Sequence, residues 1–420
     1  MPGSRSCPTL LVVGAGDRGS TYARYVLRHP DEGRVVAVAD PRPEARERLA
    51  GEHRLEPRAC YADWHDALAA GCRADAVVIA TQDRDHVAPA IAFARAGRHL
   101  LVEKPLAPTA AECRAVVDAV RAAGVLFAVG HVLRYAPYTE LVRQLVGNGA
   151  IGEVVGIQRL EPVGFWHFAH SYVRGNWRKE AASSPILLAK CCHDVDWIRY
   201  VIGTRCVKVS SFGGRAHFRA DRRPAGAADR CVDCSLEPGC PYSAVRLYLA
   251  RAGQGQFDWP VSVLDAAETV PAVRRALTTG PYGRCVYACD NDVPDHQIVN
   301  LEHAGSRYAT LTMSAFTPFL MRRTTIFGSQ GWLVGDGTRI EHHDFVTDSC
   351  RTHEIVPPGG QHGGGDDGLM RAFLSAISQQ DRSLLRADAA ETLETHLTVF
   401  AAEQSRLLNR VVSLDSPEAS

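Results

Sequence analysis

Residues 9–29, TLLVVGAGDRGSTYARYVLRH, decide how the chain begins to fold. A short apolar run leads into Gly14, Gly16 and Gly19, which have the spacing G-x-G-x-x-G, and a helical pattern follows them. Glycines at these places allow a tight turn, a close approach of the backbone to a pyrophosphate, and close packing of the helix on the strand. The stretch therefore predicts the first strand and helix of a dinucleotide-binding domain.

The second predicted strand lies in RVVAVADPRPEARERLA (34–50) and ends at Asp40, about 20 residues after the glycines. A carboxylate there accepts hydrogen bonds from an adenosine ribose and repels a 2′-phosphate, which favours NAD as the cofactor. Arg42 lies two residues further on and could instead pair with a 2′-phosphate. NADP therefore stays open as an alternative.

Strand-like and helix-like segments alternate as far as about residue 130, which predicts a parallel sheet with helices on both faces. Strand-like runs then follow one another, and the last 50 residues return to helical periodicity. We predict an α/β fold: a doubly wound parallel Rossmann sheet in 1–130, and an α+β domain with a largely antiparallel open sheet in 131–420. A cysteine-rich insert is expected at about 215–245, and closing helices at about 366–412.

The composition is that of an ordinary globular protein, with 46% hydrophobic and 22% charged residues. Acidic and basic residues balance at 47 each, so charge gives no reason to expect nucleic acid or an anionic membrane as a partner. No apolar run reaches the roughly 18–20 residues of a membrane span. We expect a cytoplasmic protein that acts on a small molecule.

Four segments occur in the order VVGAGDRG, VVAVADP, VVIATQDRDHVAPA and HLLVEKPLA. Together they resemble the N-terminal half of the Gfo/Idh/MocA oxidoreductases, which are NAD(P)-dependent dehydrogenases of sugars, cyclitols and related compounds. The resemblance implies a homo-oligomer, either a dimer or a tetramer, and it implies that Lys104 lies between the nicotinamide and the substrate. Cofactor contacts are predicted from the glycine turn and the strand ends: Gly14, Gly16, Asp17, Arg18, Gly19, Asp40, Arg42, Thr81, Gln82, His86, Glu103 and Lys104.

The stretch KCCHDVDWIRYVIG (190–203) predicts a helix with one buried and one polar face. The family carries D-x-x-x-H here, which makes His193 the implied general acid/base, but Ala189 stands where the family has its aspartate. Lys190 is one of only four lysines against 43 arginines. Because lysine can give up a proton and arginine cannot, Lys190 is a candidate proton carrier; the alternative is a solvated helix residue.

We predict hydride transfer between a nicotinamide cofactor and a secondary alcohol of a sugar, cyclitol or related polyol. Two alternatives stay open: an NAD-dependent, redox-neutral glycoside hydrolase or lyase, and a non-catalytic nucleotide-binding sensor. The glycine-rich segment 357–368 is predicted to be a loop near the site. The predicted catalytic residues are Lys104, His193 and Lys190. The predicted substrate contacts are Arg134, Tyr135, Trp166, Arg178 and Asp194.

Cys231, Cys234 and Cys240 are spaced as C-x2-C-x5-C, with His217 upstream. Three thiolates and one imidazole make a closed tetrahedral zinc shell, so a structural zinc site is one interpretation. Free thiols in a surface insert are the alternative, since there is no second C-x-x-C.

Overall fold

The computed structural model describes residues 7–264, 267–356 and 361–414. The first sheet consists of β1 (Thr9–Val13), β2 (Arg34–Ala39), β3 (Cys60–Tyr61), β4 (Ala76–Ile79), β5 (His99–Val102) and β6 (Phe127–Val129). Its order is β3-β2-β1-β4-β5-β6, and all neighbours are parallel. Strands β1 and β4 are apolar and almost wholly buried, as expected for a sheet covered on both faces.

The second sheet consists of β7 (Val154–Pro162), β8 (Cys206–Gly214), β9 (His296–His303), β10 (Arg307–Ser314), β11 (Arg323–Gly328), β12 (Gly331–Gly335), β13 (Arg339–Asp344), β14 (Ser349–Glu354) and β15 (Val412–Ser413). Its order is β14-β13-β12-β11-β7-β10-β9-β8-β15. Strands β7 and β10 are parallel, whereas the other described neighbours are antiparallel. Side chains along β9 alternate between exposed and buried, so one face of the sheet packs on the core.

The described helices are α1 (Asp17–Arg28), α2 (Pro43–His53), α3 (Trp64–Ala69), α4 (Val87–Arg95), α5 (Ala110–Ala123), α6 (Pro137–Gly147), α7 (Phe165–Phe168), α8 (Ile186–Ala189), α9 (Cys192–Ile202), α10 (Ala250–Gly253), α11 (Val270–Thr279), α12 (Gly365–Gln379) and α13 (Ala389–Leu408). Helices α1, α2 and α12 share a core on one face of the first sheet, and α3, α4 and α5 share one on the other. The predicted fold class is therefore confirmed.

The two closing helices return to the first sheet. Phe373 and Leu374 of α12 pack in the same core as Tyr22 and Val26 of α1. Helix α13 contacts α5, α9 and β8, so it joins the two sheets. This return places the N-terminus of α12 beside α1. Of the predicted loop at 357–368, residues 357–360 lie outside the described part of the chain.

Residues 215–245 form turns and short 3₁₀ helices that lie against a small core of their own. That core comes from the residues that follow, including Tyr248, Val261, Val273 and Leu277. Across the described ranges, none of the helices combines the length and the apolar composition needed to cross a membrane.

Candidate active site

The glycine turn has the geometry that its spacing predicts. Gly14 has a φ of +92°, and a Cβ there would lie 2.5 Å from the carbonyl oxygen of Ala80. A Cβ on Gly19 would lie 1.9 Å from the carbonyl oxygen of Gly14, so only glycine lets α1 pack this close to β1. Helix α1 begins at Asp17, which is exposed, and its first backbone N–H groups lie next to the turn. This end of α1 suits an anionic pyrophosphate.

The predicted cofactor residues gather at one edge of the sheet. Gly14 follows β1, Thr81 follows β4 and Lys104 follows β5, and these three strands are neighbours. Thr81 Oγ1 is buried and has no hydrogen-bond partner among the described residues, while Gln82 is exposed. In an open α/β sheet, the carboxyl edge is where a ligand binds.

Asp40 lies at the end of β2 and is almost fully buried. Its carboxylate accepts hydrogen bonds from the backbone N–H of Ala15 (2.7 Å) and from Arg42 Nη2 (2.9 Å) and Nε (3.1 Å). Burial acts to raise the pKa of Asp40, but the hydrogen bonds from Arg42 and Ala15 outweigh it, and the pKa is lowered. Asp40 is therefore an ionised acceptor at the place predicted for the ribose.

Arg18 and Glu103, which were predicted to contact the cofactor, are joined to each other in the structure. Glu103 Oε1 accepts hydrogen bonds from Arg18 Nε and from the Tyr22 hydroxyl, both at 2.7 Å, and Arg18 also pairs with Asp366 of α12. Glu103 Oε2 accepts from the backbone N–H of Lys104 at 2.7 Å. The two side chains thus belong to a network that joins α1, the end of β5 and α12, in which buried carboxylates hold Arg18.

Lys104 and His193 meet at this edge. Lys104 Nζ donates a 2.7 Å hydrogen bond to the carbonyl oxygen of Ala189, so the position that lost its aspartate still offers an oxygen acceptor. His193 is 3% exposed, and neither ring nitrogen has a hydrogen-bond partner in the described chain. Burial, and then the charge of Lys104, holds the pKa of His193 well below its usual value. His193 is therefore a neutral base with a free nitrogen beside a cation.

Lys190 stands at one end of a buried row of alternating charges. Its Nζ lies 3.3 Å from Glu161 Oε1, and Arg322 Nε lies 2.7 Å from both Glu161 and Asp194. Arg159 Nε donates to Asp194 at 2.7 Å and closes the row. Asp194, which was predicted to contact the substrate, is fully buried between the two arginines. Lys190 and Arg322 are partly exposed, with 18% and 13% of their side chains accessible, whereas the carboxylates between them are buried.

Arg134 and Tyr135, which were predicted to contact the substrate, are also buried. Arg134 is 0% exposed and makes two 2.8 Å hydrogen bonds to Asp196, with a third contact of 2.9 Å to Glu391. The Tyr135 hydroxyl accepts from the backbone N–H of Arg386 at 2.9 Å, and burial raises the Tyr135 pKa to about 12. These side chains turn back into the protein and fasten the segment after β6 to α9 and α13.

Two histidines that the sequence reasoning missed lie against His193. The ring centre of His362 is 5.5 Å from that of His193, and its Nδ1 lies 2.9 Å from Asp366 Oδ2. The ring centre of His131 is 6.3 Å away, and its Nδ1 lies 3.1 Å from Asp196 Oδ1 without hydrogen-bond alignment. His131 follows β6 as Lys104 follows β5, so its position on a strand end was a usable signal. His362 lies in the glycine-rich segment 357–368, which was predicted to be a loop near the site, although the histidine itself was not singled out.

His86 and Asp83 shape the loop after β4. His86 Nδ1 bonds the carbonyl oxygen of Pro105 at 2.7 Å, and its Nε2 lies 3.2 Å from that of Thr81. Asp83, which was not predicted, accepts from Ser184 Oγ at 2.7 Å and from Trp177 Nε1 at 3.3 Å. His86 therefore fixes two strand-end loops to each other, and Asp83 fixes one of them to the second domain.

Trp166 and Arg178 lie beyond these groups. Trp166 packs against Trp259 and Phe319 and lines a cavity of about 180 Å³. Arg178 donates to Asp290 Oδ1 at 3.0 Å, so its side chain faces the loop before β9. The residue next to Trp166, His167, has a pKa lowered by burial and by the charges of Lys190 and Lys104, and it was also missed.

The predicted zinc shell does not form. His217 Nε2 is engaged with the Tyr287 hydroxyl at 2.8 Å, and the Cys231 sulfur accepts from Arg174 at 3.4 Å. Within the ranges that the structure describes, no three His, Cys, Asp or Glu side chains are placed to hold a metal ion. Sequence spacing alone could not show that these side chains have other partners, so the zinc interpretation is not supported.

Comparisons with known proteins agree with this architecture. Residues 9–131 match the Gfo/Idh/MocA model described as an oxidoreductase family with an NAD-binding Rossmann fold, and residues 139–237 match the model of the Gfo/Idh/MocA C-terminal domain. Among solved structures, levoglucosan dehydrogenase with NADH and levoglucosan has a TM-score of 0.72 at 18% identity, covering 97% of this chain and 100% of that one. An Agrobacterium radiobacter oxidoreductase with NAD+, L-tartaric acid and magnesium has a TM-score of 0.71 at 16% identity, covering 97% and 99%. At these identities the likeness is one of fold.

Curated relatives match over a shorter span. The chain is 33% identical to inositol 2-dehydrogenase of Rhizobium meliloti (strain 1021), over 48% of this chain and 56% of the relative. It is 29% identical to 2,7-anhydro-N-acetylneuraminate hydratase of Escherichia coli (strain K12), over 48% and 52%. The alignments thus span about half the length of these relatives. The two family models together match more than half of the chain, and the chain belongs to the Gfo/Idh/MocA oxidoreductase family.

Proposed function

We propose that this protein is an NAD-dependent dehydrogenase of a secondary alcohol in a sugar, cyclitol or related small polyol. The observation that carries the proposal is the pairing of Lys104 with a neutral, buried His193 whose ring nitrogens have no described partner. A buried polar atom without a partner is costly, and a substrate hydroxyl would satisfy it. The inositol and levoglucosan dehydrogenases among the similar proteins support this substrate class.

Side chains of the protein have separate roles in the proposed oxidation. A ring nitrogen of His193 accepts the hydroxyl proton while the carbinol carbon gives up its hydride and becomes a carbonyl. Lys104 Nζ donates a hydrogen bond to the same substrate oxygen and holds it in place. Bound NAD supplies the hydride acceptor. Glu103 orients the backbone of Lys104 through the N–H bond described above.

The test is the absorbance of the reduced nicotinamide, measured with NAD and with NADP over a panel of inositols, anhydrosugars and aldoses. We expect Lys104→Met and His193→Ala to lower kcat by about 10²–10⁴-fold, because each removes a group that acts on the reacting oxygen. Lys208→Met and His65→Ala are the matched controls, since both side chains are exposed. Full turnover in His193→Ala would falsify the assignment.

A redox-neutral reaction is the second candidate, favoured by His362 beside His193. Transient oxidation activates the neighbouring C–H bond, and elimination or hydration then needs a second acid/base before the carbonyl is reduced back. His362, held by Asp366, is placed for that task. One of the similar proteins is a hydratase, in agreement with this candidate. For the redox-neutral reaction, we expect product to form only when NAD is present, without accumulation of reduced cofactor. In D₂O, a solvent deuteron should enter the product. Tight NAD binding with neither signal would indicate the sensor.

A further inference from the structure

A group of positively charged side chains lines a cavity outside the reaction centre. The cavity of about 180 Å³ is bounded by the segment 165–174 and by residues 241–251. Three of its lining residues are arginines, Arg174, Arg246 and Arg251, and none of its lining residues is acidic. We call it the arginine cavity. Its volume is several times the roughly 30 Å³ that a water molecule occupies.

Arg174 is the most deeply buried of the three arginines, with only 1% of the residue exposed. Its hydrogen bonds go to the carbonyl oxygens of Arg284 (2.7 Å) and Tyr242 (2.8 Å) and to the sulfur of Cys231 (3.4 Å), and none of these partners is a carboxylate. Its Nη1 is buried and has no partner in the described chain. A buried charge without a counter-charge is expensive, so proteins normally pair it.

The neighbours of Arg174 add positive charge without balancing it. Arg246 Nη2 donates to the carbonyl oxygen of Pro238 at 2.8 Å, and the Arg251 guanidinium stacks on the Trp166 ring at 5.5 Å. Across the described residues, neither arginine has an ion pair with a carboxylate. His170 is neutral and adds no charge of its own, because burial, followed by the charge of Arg174, lowers its pKa to about 3.

A carboxylate that contacts the cavity lining is already engaged. Glu237 accepts a hydrogen bond from the Ser243 hydroxyl. Ser243 Oγ also accepts from the backbone N–H of Arg246 at 2.9 Å. The cavity lining therefore offers guanidinium hydrogen-bond donors and the aromatic ring of Trp166, and this combination suits an anion.

We propose that the arginine cavity binds a small oxyanion, a carboxylate, phosphate or sulfate group. Guanidinium groups match the planar, multi-oxygen geometry of such anions. The segment 165–174 also carries His167, whose ring centre lies 5.9 Å from that of Trp166, a residue of the cavity lining. The oxyanion has two sources: an acidic group on the substrate, which rests on the proposed dehydrogenase function, or a separate free anion, which does not.

The first measurement is calorimetric titration of the full protein with sulfate and with phosphate, against chloride at matched ionic strength. We expect saturable binding that weakens about tenfold or more in Arg251→Met and in Arg246→Met, because each removes a charge-assisted hydrogen bond. Arg58→Met is the matched control, with a side chain that is 85% exposed and remote from the cavity. Arg174→Met is best read by thermal unfolding with sulfate, since it removes the buried charge itself. No saturable binding, or equal binding in all variants, would overturn the proposal.

A second measurement separates the two sources. Neutral sugars and the matching uronic acids are titrated in the presence of NADH, with and without sulfate. If the uronate binds more tightly than the neutral sugar and competes with sulfate, the anion is the substrate's own acidic group. If sulfate and the sugar bind together without competition, the site takes a free anion. Both results support the oxyanion site, and neither needs turnover, so failure of the dehydrogenase assay would leave this test intact.

Discussion

Asp40 and Arg42 form an ion pair at the place where NAD and NADP differ. The carboxylate is nearly buried and ionised, whereas the Arg42 side chain is largely exposed and can turn away from it. A ribose hydroxyl can therefore share Asp40 with Arg42, while a 2′-phosphate would meet the carboxylate first. The position of the Asp40 carboxylate therefore supports a preference for NAD over NADP.

We expect Asp40→Ala to weaken NADH binding by roughly tenfold, because a charge-assisted hydrogen bond to the ribose is lost. The same change should strengthen NADPH binding, since repulsion disappears and Arg42 becomes available to the phosphate. Both dissociation constants are measured by nicotinamide fluorescence. Asp221→Ala, an exposed carboxylate in the insert that also pairs with an arginine, is the control. An unchanged NADH-to-NADPH ratio in Asp40→Ala would contradict this role.

His362 is the second residue whose role can be tested directly. Its ring faces His193 and is fixed by Asp366, so we expect His362→Ala to lower kcat roughly tenfold through loss of one oriented hydrogen bond, with little change in NADH binding. Asp366→Asn should shift the pH profile of kcat, because a neutral amide no longer stabilises a protonated His362. A kcat equal to that of the unchanged protein in both variants would show that His362 only packs against the site.

At the scale of elements, α12 closes the core of the first sheet. Phe373 is fully buried against α1, so Phe373→Ala should lower the free energy of unfolding by about 3–5 kcal/mol. Urea denaturation measures this loss. Phe345→Ala, where the ring is mostly exposed, is the matched control and should change stability little. Equal losses in both variants would mean that α12 does not complete this core.

Helix α13 also makes the protein sensitive to acid. Burial, with help from the charge of His131, lowers the pKa of His396 to about 3, and its Nε2 accepts the backbone N–H of Leu106 at 2.9 Å. The unfolded value is about 6.5. Between these two values the unfolded chain binds a proton that the folded chain does not, so stability falls as the pH drops from about 6.5 towards 3.

The expected loss is about 1.4 kcal/mol for each pH unit from this histidine alone. His396→Gln keeps an acceptor for Leu106 and should flatten the dependence of unfolding free energy on pH between 6.5 and 4.5. The exposed substitution His65→Gln serves as the control. If the slope in His396→Gln equals that of the unchanged protein, His396 is not a source of the acid sensitivity.

At the scale of the whole molecule, the second sheet has one open face. Phe212, Ile298 and Tyr308 lie on the adjacent strands β8, β9 and β10, and Phe327 lies on β11 beyond β7. These four side chains are 39–64% exposed. A row of large apolar side chains in water usually marks an interface. We therefore propose that a second copy of the chain covers it, in keeping with the homo-oligomer that the sequence resemblance implied.

Phe212→Asp with Ile298→Asp should convert the oligomer to a monomer, because two charges would be buried without partners in the interface. Sedimentation velocity measures the change. Phe345→Asp with Val346→Asp, two exposed apolar residues in the turn after β13, is the control. A monomeric unchanged protein, or an oligomer that survives the first double substitution, would contradict the proposal.

The sequence was most informative where the chemistry depends on neighbouring residues. Gly14 and Gly19 predicted the turn because a Cβ at either place would collide with nearby backbone. Lys104 and His193 were placed by short motifs, and the structure brings them to one edge of the first sheet. Their catalytic roles remain predictions.

The sequence was least informative where partners are far apart along the chain. The contact between Arg18 and Asp366 spans 348 residues, and nothing local to Arg18 indicates that its charge is engaged. Arg134 has the strand-end position of a site residue, yet its side chain turns inwards to Asp196. The cysteine spacing likewise predicted ligands without showing which groups already bond Cys231.

The docking of α12 against α1 has a consequence for synthesis. At about 5–20 residues per second, the ribosome releases α12 on the order of tens of seconds after β6. Until then the nascent first domain leaves Tyr22 and Val26 facing water and leaves Arg18 without one of its carboxylates. Such a chain is expected to be a substrate for chaperones during translation. For the same reason, we expect that the nucleotide-binding domain would not be stable when fused to another protein unless the final helices are included.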